Sequence, residues 1–314
     1  MPDVLTFYLN KIQKLRIDRA RGKPAPHKPI LLLTVIDLIE QGAIQKNRIE
    51  PSPQLVEGFL KYWNLLSNEL ARVYLPFFHL KSSGFWHLRA KRGQEGLLST
   101  IHQFKSMTQL ASVISHTSLD EDLFVLLLKP DTREIIRQAI IKTYFPEQAE
   151  IICAVISDNQ QVNALENLLL QQAEKIKTFD NKIIPETPQR SAAFRGVIMK
   201  IYDYTCAVCR LRIITLDGAS AVDAAHIIPF AISHDDGIGN GFALCKLHHW
   251  TFDNGLISLD DKYELIVSTA FEEKGHKAML LKMLQSQTIL LPKQKSFFPS
   301  LNSLRWHREK KFLR

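Results

Sequence analysis

Cysteine is scarce in this chain. Four residues of 314 are too few to staple a small secreted scaffold, and in a reducing compartment a close pair points to metal binding before a disulfide. Long apolar runs are missing too. The longest, ILLLTVIDLI from Ile30 to Ile39, carries Asp37 and falls short of the ~20 residues a membrane-spanning helix needs. The opening MPDVLTFYLNKIQKLRIDRARG has no apolar core with a small-residue cleavage site, so no signal peptide is expected and a cytoplasmic location is. There is no internal repeat and no low-complexity tract, which excludes solenoid and fibrous classes. Acidic residues are in deficit, 32 against 40 basic ones, and the resulting net charge of +8 favours a polyanionic partner. What remains is ordinary for a soluble globular protein, 46% hydrophobic and 23% charged, and long enough for two cores.

HKPILLLTVIDLIEQG, residues 27–42, predicts a helix with Pro29 in its first turn and Gly42 just past its end. Leu32, Val35, Ile36 and Ile39 share one face, the expected core side. A second helix is expected from Pro53 to Leu66. VYLPFFHLKSSGFWHL then reads as a β-hairpin, two aromatic-rich runs around Lys81, Ser82, Ser83 and Gly84. Helices follow over LDEDLFVLLL and TREIIRQAIIKTYF, and again over residues 150–178, where Cys153 reads as a small buried residue. DNKIIPETPQ, residues 180–189, loses periodicity and holds two prolines, so the linker is placed there. The expected division is 1–148, a helix and linker over 149–190, and a second domain over 191–314.

The second domain holds the sharpest signal. CAVC at 206–209 and CKLHH at 245–249 form two tight turns, each offering soft ligands, as a closed tetrahedral zinc site requires. Cys206, Cys209, Cys245 and His248 are the expected Zn2+ ligands. Between the turns lie VDAAHIIPF and GNGFALC, so His226, Asn240 and His249 stand in the order His, Asn, His. With AHIIP, NG-A-LC, HH and FDNGLISL in sequence from about Ala192 to Ser268, this region resembles the HNH nucleases. The resemblance implies a ββα-metal fold around one divalent ion. It also implies His226 as general base, Asn240 as holder of the histidine or its loop, and His249 as ligand of a catalytic Mg2+ or Mn2+. Ala225 stands where many members carry a metal ligand, so Asp223, three residues before His226, is the expected second ligand. Residues three apart on a straight strand face opposite sides, so that role requires a bulge or turn. Asp253 is expected to support the helix or turn. His234, His276 and His307 lack this framing and are expected at the surface, and the basic tail RWHREKKFLR offers phosphate contacts.

An HNH domain grips backbone and chooses little sequence by itself, so selectivity is expected from the first half. There HKPILLL at 27–33, YLPFFHLKSSGFWHL at 74–88 and LDEDLFVLLLKPDTREIIRQAIIKTYFP at 119–146 resemble the sulfur-binding domain of phosphorothioate-dependent, McrA-like HNH restriction endonucleases. The resemblance implies an apolar pocket for the sulfur, which is larger and less hydrated than phosphate oxygen. Leu75 and Pro76 are the pocket candidates, with Leu75 where the family commonly has an aromatic residue. His27 and Lys28 are the neighbouring phosphate ligands, and Arg72, Lys81 and Arg89 supply further backbone contacts. Two positive groups at a helix start, where the dipole disfavours cations, suggest that an anion shares the site.

The fold expected is therefore α+β, a mainly helical first domain with a β-hairpin joined to a ββα-metal (HNH) domain with a structural zinc site. The activity expected is hydrolysis of phosphodiester bonds near a phosphorothioate in double-stranded DNA. A single HNH site acts on one strand, so double-strand breaks would call for a homodimer or two nicks. Two rival readings keep parts of this, an HNH endonuclease triggered by a modified base such as methylcytosine, or a non-catalytic zinc-containing DNA-binding protein.

Overall fold

The structure, a computed structural model, describes residues 3–17, 25–174, 187–216, 218–277 and 280–314. The chain divides into two compact units, Met1–Gln160 with Thr215–Ala219, and Gln161–Ile214 with Ser220–Arg314. The expected linker over 180–189 lies mostly outside the described residues.

The first unit is built around one helix. After Val4–Gln13 (α1), His27–Glu40 (α2) runs through the core with every residue from Pro29 to Ile39 buried. Its apolar residues occupy all faces, which marks a helix surrounded by others, wider than the single core face expected from the spacing. Pro53–Leu66 (α3) starts on a Ser52 side-chain cap with Pro53 in its first turn. The one charged residue buried on α2, Asp37, accepts hydrogen bonds from Tyr62 and Asn159 and pairs with Arg137 at 3.4 Å. Burial raises its carboxyl above the usual range, against the pull of these partners.

The stretch expected as a β-hairpin folds otherwise. Tyr74–His79 (α4) is a short helix, followed by a 3-10 turn, Leu80–Ser83, that ends at Gly84 in the left-handed region. Pro76, Phe77, Phe78 and Leu80 are all buried, a spacing a strand with one wet face cannot provide. Only the second run is a strand, Trp86–Ala90 (β1). Its antiparallel partner is Ile114–Leu119 (β2), beyond Glu95–Thr100 (α5) and Met107–Val113 (α6). Glu121–Leu128 (α7) and Pro130–Tyr144 (α8) close the core, together with the first turns of Ala149–Glu174 (α9). Cys153 on α9 is exposed, because the buried face there is Ile152, Val155, Ile156 and Asn159.

In the second unit Pro188–Ile201 (α10) packs on a regular antiparallel pair, Val222–His226 (β3) and Gly241–Cys245 (β4). Between them lies the short helix Phe230–Ser233 (α11), and β4 runs directly into Lys246–Asp253 (α12). A second pair follows, Ile257–Leu259 (β5) with Leu265–Val267 (β6), and Leu301–Lys310 (α13) comes last. α10, both strand pairs, α12 and α13 all contribute to the second core, and among the described residues no helix is long and apolar enough to cross a membrane.

His307 on α13 is buried, contrary to the surface placement expected for it. Its ring stacks on Phe252 at 3.7 Å, one nitrogen lies 3.0 Å from the Phe252 carbonyl, and the other lies 2.9 Å from the Ser258 hydroxyl. Burial pushes its pKa down to about 4, and Lys311 and Arg308 add to that against the Phe252 carbonyl. The unfolded chain therefore binds more protons than the folded one between about pH 6.5 and 4. The contribution of neutral His307 is complete above that window and is lost as pH falls through it, up to about 3 kcal/mol. His307→Gln is expected to be less stable than the parent at pH 7.5, with the margin shrinking as the pH is lowered toward 5. Parallel urea titrations measure it, and a margin that does not change with pH would contradict the assignment.

Candidate active site and anion cleft

The Cys/His cluster of the second unit begins where α10 ends. Asp203 and Tyr204 turn the chain at positive φ, and Cys206 and Cys209 follow in a tight knuckle closed by the Arg210 amide donating to the Cys206 carbonyl at 2.9 Å. The Ala207 amide donates to the Ala243 carbonyl at 2.8 Å, which fastens the knuckle to β4. Cys245 ends β4 and His248 lies in the first turn of α12, both buried. The four ligand atoms lie within 4.8 Å of one another. Cys206 Sγ is 3.6 Å and Cys245 Sγ 3.1 Å from His248 Nδ1, and Cys209 Sγ is 3.9 Å from Cys245 Sγ. A tetrahedron with metal–sulfur bonds of about 2.3 Å has edges of about 3.8 Å, so the set fits a zinc ion. Burial alone would lower the His248 pKa, but the Cys206 and Cys245 thiols raise it to about 9. Hydrogen bonds with the Cys206 and Cys209 thiols, and then with His248, hold the Cys245 thiol well below its usual range against its burial.

His226 closes β3 and faces Gly241 across the pair. Its ring lies flat on Phe194 of α10, centroids 3.9 Å apart and planes 8° apart. That contact depends on glycine at 241, since a Cβ there would sit 2.4 Å from Phe194 Cζ. His226 Nε2 is 3.0 Å from Oδ1 of Asp236, a buried carboxylate whose Oδ2 is 3.0 Å from Arg190 Nε. Asp236 was not singled out from sequence. The HDDG turn at 234–237 was its signal, an acid ten residues past a histidine, and only the closed loop shows that the two meet.

Asn240 secures that loop. Its Oδ1 accepts from the Ile228 amide at 2.9 Å, and its Nδ2 donates to the carbonyls of Ile228 and Asp235, each at 3.0 Å. It is 1% exposed, so it spans the loop from inside and does not reach outward.

The bulge that Asp223 would need is absent. β3 and β4 stay in register from Val222↔Cys245 to His226↔Gly241, so Asp223 and His226, three apart, face opposite sides. The Asp223 carboxylate instead accepts from Arg195 Nε at 2.7 Å and Lys246 Nζ at 3.3 Å. Burial works to raise its pKa, and these two cations hold it below the usual range all the same. His249 has a different neighbour. Its Nε2 lies 3.5 Å from Oδ2 of Asp253, one helical turn on along α12. An imidazole and a carboxylate at i and i+4 share a helix face and are a usable donor pair for a divalent ion that keeps several waters.

In the first unit, His27 and Lys28 at the start of α2 meet Leu75 and Pro76 of α4 in one cleft of about 400 Å³. Arg16, Ile17, His79, Ser82 and Gln103 line it as well. Arg72, Lys81 and Arg89 are exposed and do not line it. Lys28 Nζ donates to the Arg16 carbonyl at 2.8 Å and to Ser82 Oγ at 3.1 Å. Burial lowers the Lys28 pKa, with repulsion from Arg16 adding to it, and burial followed by Lys28 and Lys81 lowers that of His79. Cations crowded enough to depress one another make a cleft suited to an anion.

Comparison with known proteins agrees with both halves. Residues 6–155 match the family model described as ScoMcrA-like, DNA sulfur-binding domain, and residues 206–260 match that described as HNH endonuclease. No curated protein matches the chain. Among solved structures, the chain is similar to a modification dependent TagI restriction endonuclease at 22% identity, over 40% of this chain and 39% of that one, with a TM-score of 0.30. It is also similar to the sulfur binding domain of SprMcrA complexed with phosphorothioated DNA, at 21% identity over 49% of this chain and 96% of that one, with a TM-score of 0.39. The chain thus spans about two fifths of the TagI structure it matches. Two family matches in tandem, each on the unit whose chemistry points the same way, show a ScoMcrA-like DNA sulfur-binding domain joined to an HNH endonuclease domain.

Proposed function

We propose that this protein is a modification-dependent DNA endonuclease whose first unit binds phosphorothioate-bearing duplex DNA and whose second unit hydrolyses a phosphodiester nearby. The observation that carries the reading is the pairing of a sulfur-binding domain with an HNH domain in one chain. The cleft supports sulfur as the trigger. Leu75, Pro76 and Ile17 offer the apolar wall a weakly hydrated sulfur prefers, and Arg16, Lys28 and His27 serve the remaining charge. None of its described lining residues is Phe, Tyr or Trp, the large aromatic faces that would favour a flipped base over a sulfur.

In the second unit, His226 turns Nε2 to Asp236, which leaves Nδ1 to take a proton from water. Arg195 and Lys246, gathered by Asp223, present positive charge on the opposite side of β3 for the DNA backbone. A divalent ion, Mg2+ or Mn2+, would be held by His249 and Asp253 and would polarise the scissile phosphate. Cys206, Cys209, Cys245 and His248 would hold zinc in a structural role, since they supply four ligands and leave no open position. One such centre cuts one strand, so double-strand cleavage requires two chains or two successive nicks.

The direct test compares two otherwise identical duplexes in Mg2+ or Mn2+, one with a phosphorothioate linkage and one without. Cutting is expected only of the sulfur-bearing duplex, and equal cutting of both would remove the sulfur reading. His226→Ala is expected to bind that duplex as the parent does and to cut it at least ~100-fold more slowly. Lys28→Ala should weaken binding and reduce the slope of log affinity against log salt by about one, measured by fluorescence anisotropy. An unchanged slope would place Lys28 away from phosphate. Metal analysis of the purified protein is expected to give one zinc per chain, and Cys206→Ser should lose both the zinc and the cooperative unfolding of the second unit.

A further inference from the structure

We propose that Asp236, held by Arg190, is the positioning residue that keeps His226 in the tautomer with its proton on Nε2 and its lone pair on Nδ1. The proposal rests on the reading of His226 as the general base. A neutral imidazole carries one proton, and the nitrogen that holds it is set by the partner of the other. A carboxylate only accepts, so Asp236 Oδ1 at 3.0 Å requires a proton on Nε2. Nδ1 then has no proton and is the atom able to receive one.

Three contacts make the arrangement rigid. Phe194 lies against the face of the ring, at 3.9 Å and 8°, and fixes its plane. Asp236 fixes its rotation within that plane. Asp236 is itself 4% exposed, on a loop whose ends are tied by the four hydrogen bonds of the Asn240 side chain. Arg190 Nε, 3.0 Å from the second carboxylate oxygen, offsets the buried charge. Arg190 is placed for this by the start of α10, where its backbone amide donates to the Thr187 side chain at 3.3 Å.

In the step this serves, a water proton passes to Nδ1 as the new P–O bond forms, and the P–O bond to the leaving oxygen breaks, that oxygen departing with the electron pair and taking a proton from solvent water. The imidazolium so produced still directs its Nε2 proton at the Asp236 carboxylate, which stabilises it without taking the proton.

Arg190 also makes the aspartate irreplaceable by its amide. In Asp236→Asn, the positive charge of Arg190, 3.0 Å from that position, favours the amide oxygen there and turns the NH2 group toward His226. Nε2 must then accept, and the proton moves to Nδ1. The variant is expected to lose at least ~100-fold in kcat on phosphorothioate duplex, up to the ~10⁴-fold known for a wrong tautomer, with KM within about threefold. Arg190→Met removes the cation that dictates the amide orientation. The double variant Arg190→Met with Asp236→Asn is therefore expected to cut at least tenfold faster than Asp236→Asn alone, which a purely structural role would not produce.

The independent readout is the ¹⁵N spectrum of the His226 ring in the full chain, which distinguishes the two neutral tautomers without any turnover. Protonated Nε2 in the parent and protonated Nδ1 in Asp236→Asn are expected. A parent ring protonated on Nδ1, or an Asp236→Asn variant with parental kcat while His226→Ala is inactive, would overturn the proposal and leave the base assignment standing. Parental cutting by His226→Ala would overturn the base assignment instead.

Discussion

Four ligand atoms within 4.8 Å of one another tie the end of α10 to the start of α12, and the active half of the molecule is arranged around that tie. Cys209 and Cys245 are 36 residues apart in sequence. Bringing them together closes a long loop, an entropic cost that two short strands and an eight-residue helix repay poorly by burial alone. Soft ligands set in two tight turns suit a strong, local bond that offsets it. Everything between them inherits its register. With Cys245 opposite Val222, Gly241 falls opposite His226, and the space left by the missing Cβ admits Phe194.

The same register separates the polar groups by task. His226 is turned toward Asp236 and Arg190, while Asp223 gathers Arg195 and Lys246. His249 and Asp253 occupy a third place, on the helix next to His248 of the Cys/His cluster. His226 and Asp223 come from β3, Arg195 from α10, and Lys246, His249 and Asp253 from α12, so the proposed base, backbone grip and metal pair do not compete for the same carboxylate.

The cleft of the first unit follows a different logic. α2 is buried on every side, so the only part of it that meets solvent near the cleft is its beginning, where His27 and Lys28 stand. Helix starts repel cations, and Arg16 adds to the repulsion of Lys28. The free protein holds this charge together through Lys28's bonds to the Arg16 carbonyl and Ser82, and an arriving anion would relieve it.

Much of this was legible in the chain. Paired cysteine turns, the order His226, Asn240, His249, and a histidine–lysine pair ahead of Pro29 are local patterns, and local patterns survive without a fold because spacing along the backbone already limits what their side chains can reach. Helix against strand at Tyr74–Phe78 was not legible, since aromatic residues suit both and the packing around α2 decides. Nor was the burial of His307, the exposure of Cys153, or the partner of Asp223, each of which turns on which face of an element meets a neighbour. The sequence by itself determined which chemistry is present, because ligands and bases are residue types at short spacings. Only the tertiary structure decided which carboxylate serves which group, because Asp223, Asp236 and Asp253 are chemically alike and differ only in where the folded chain sets them down.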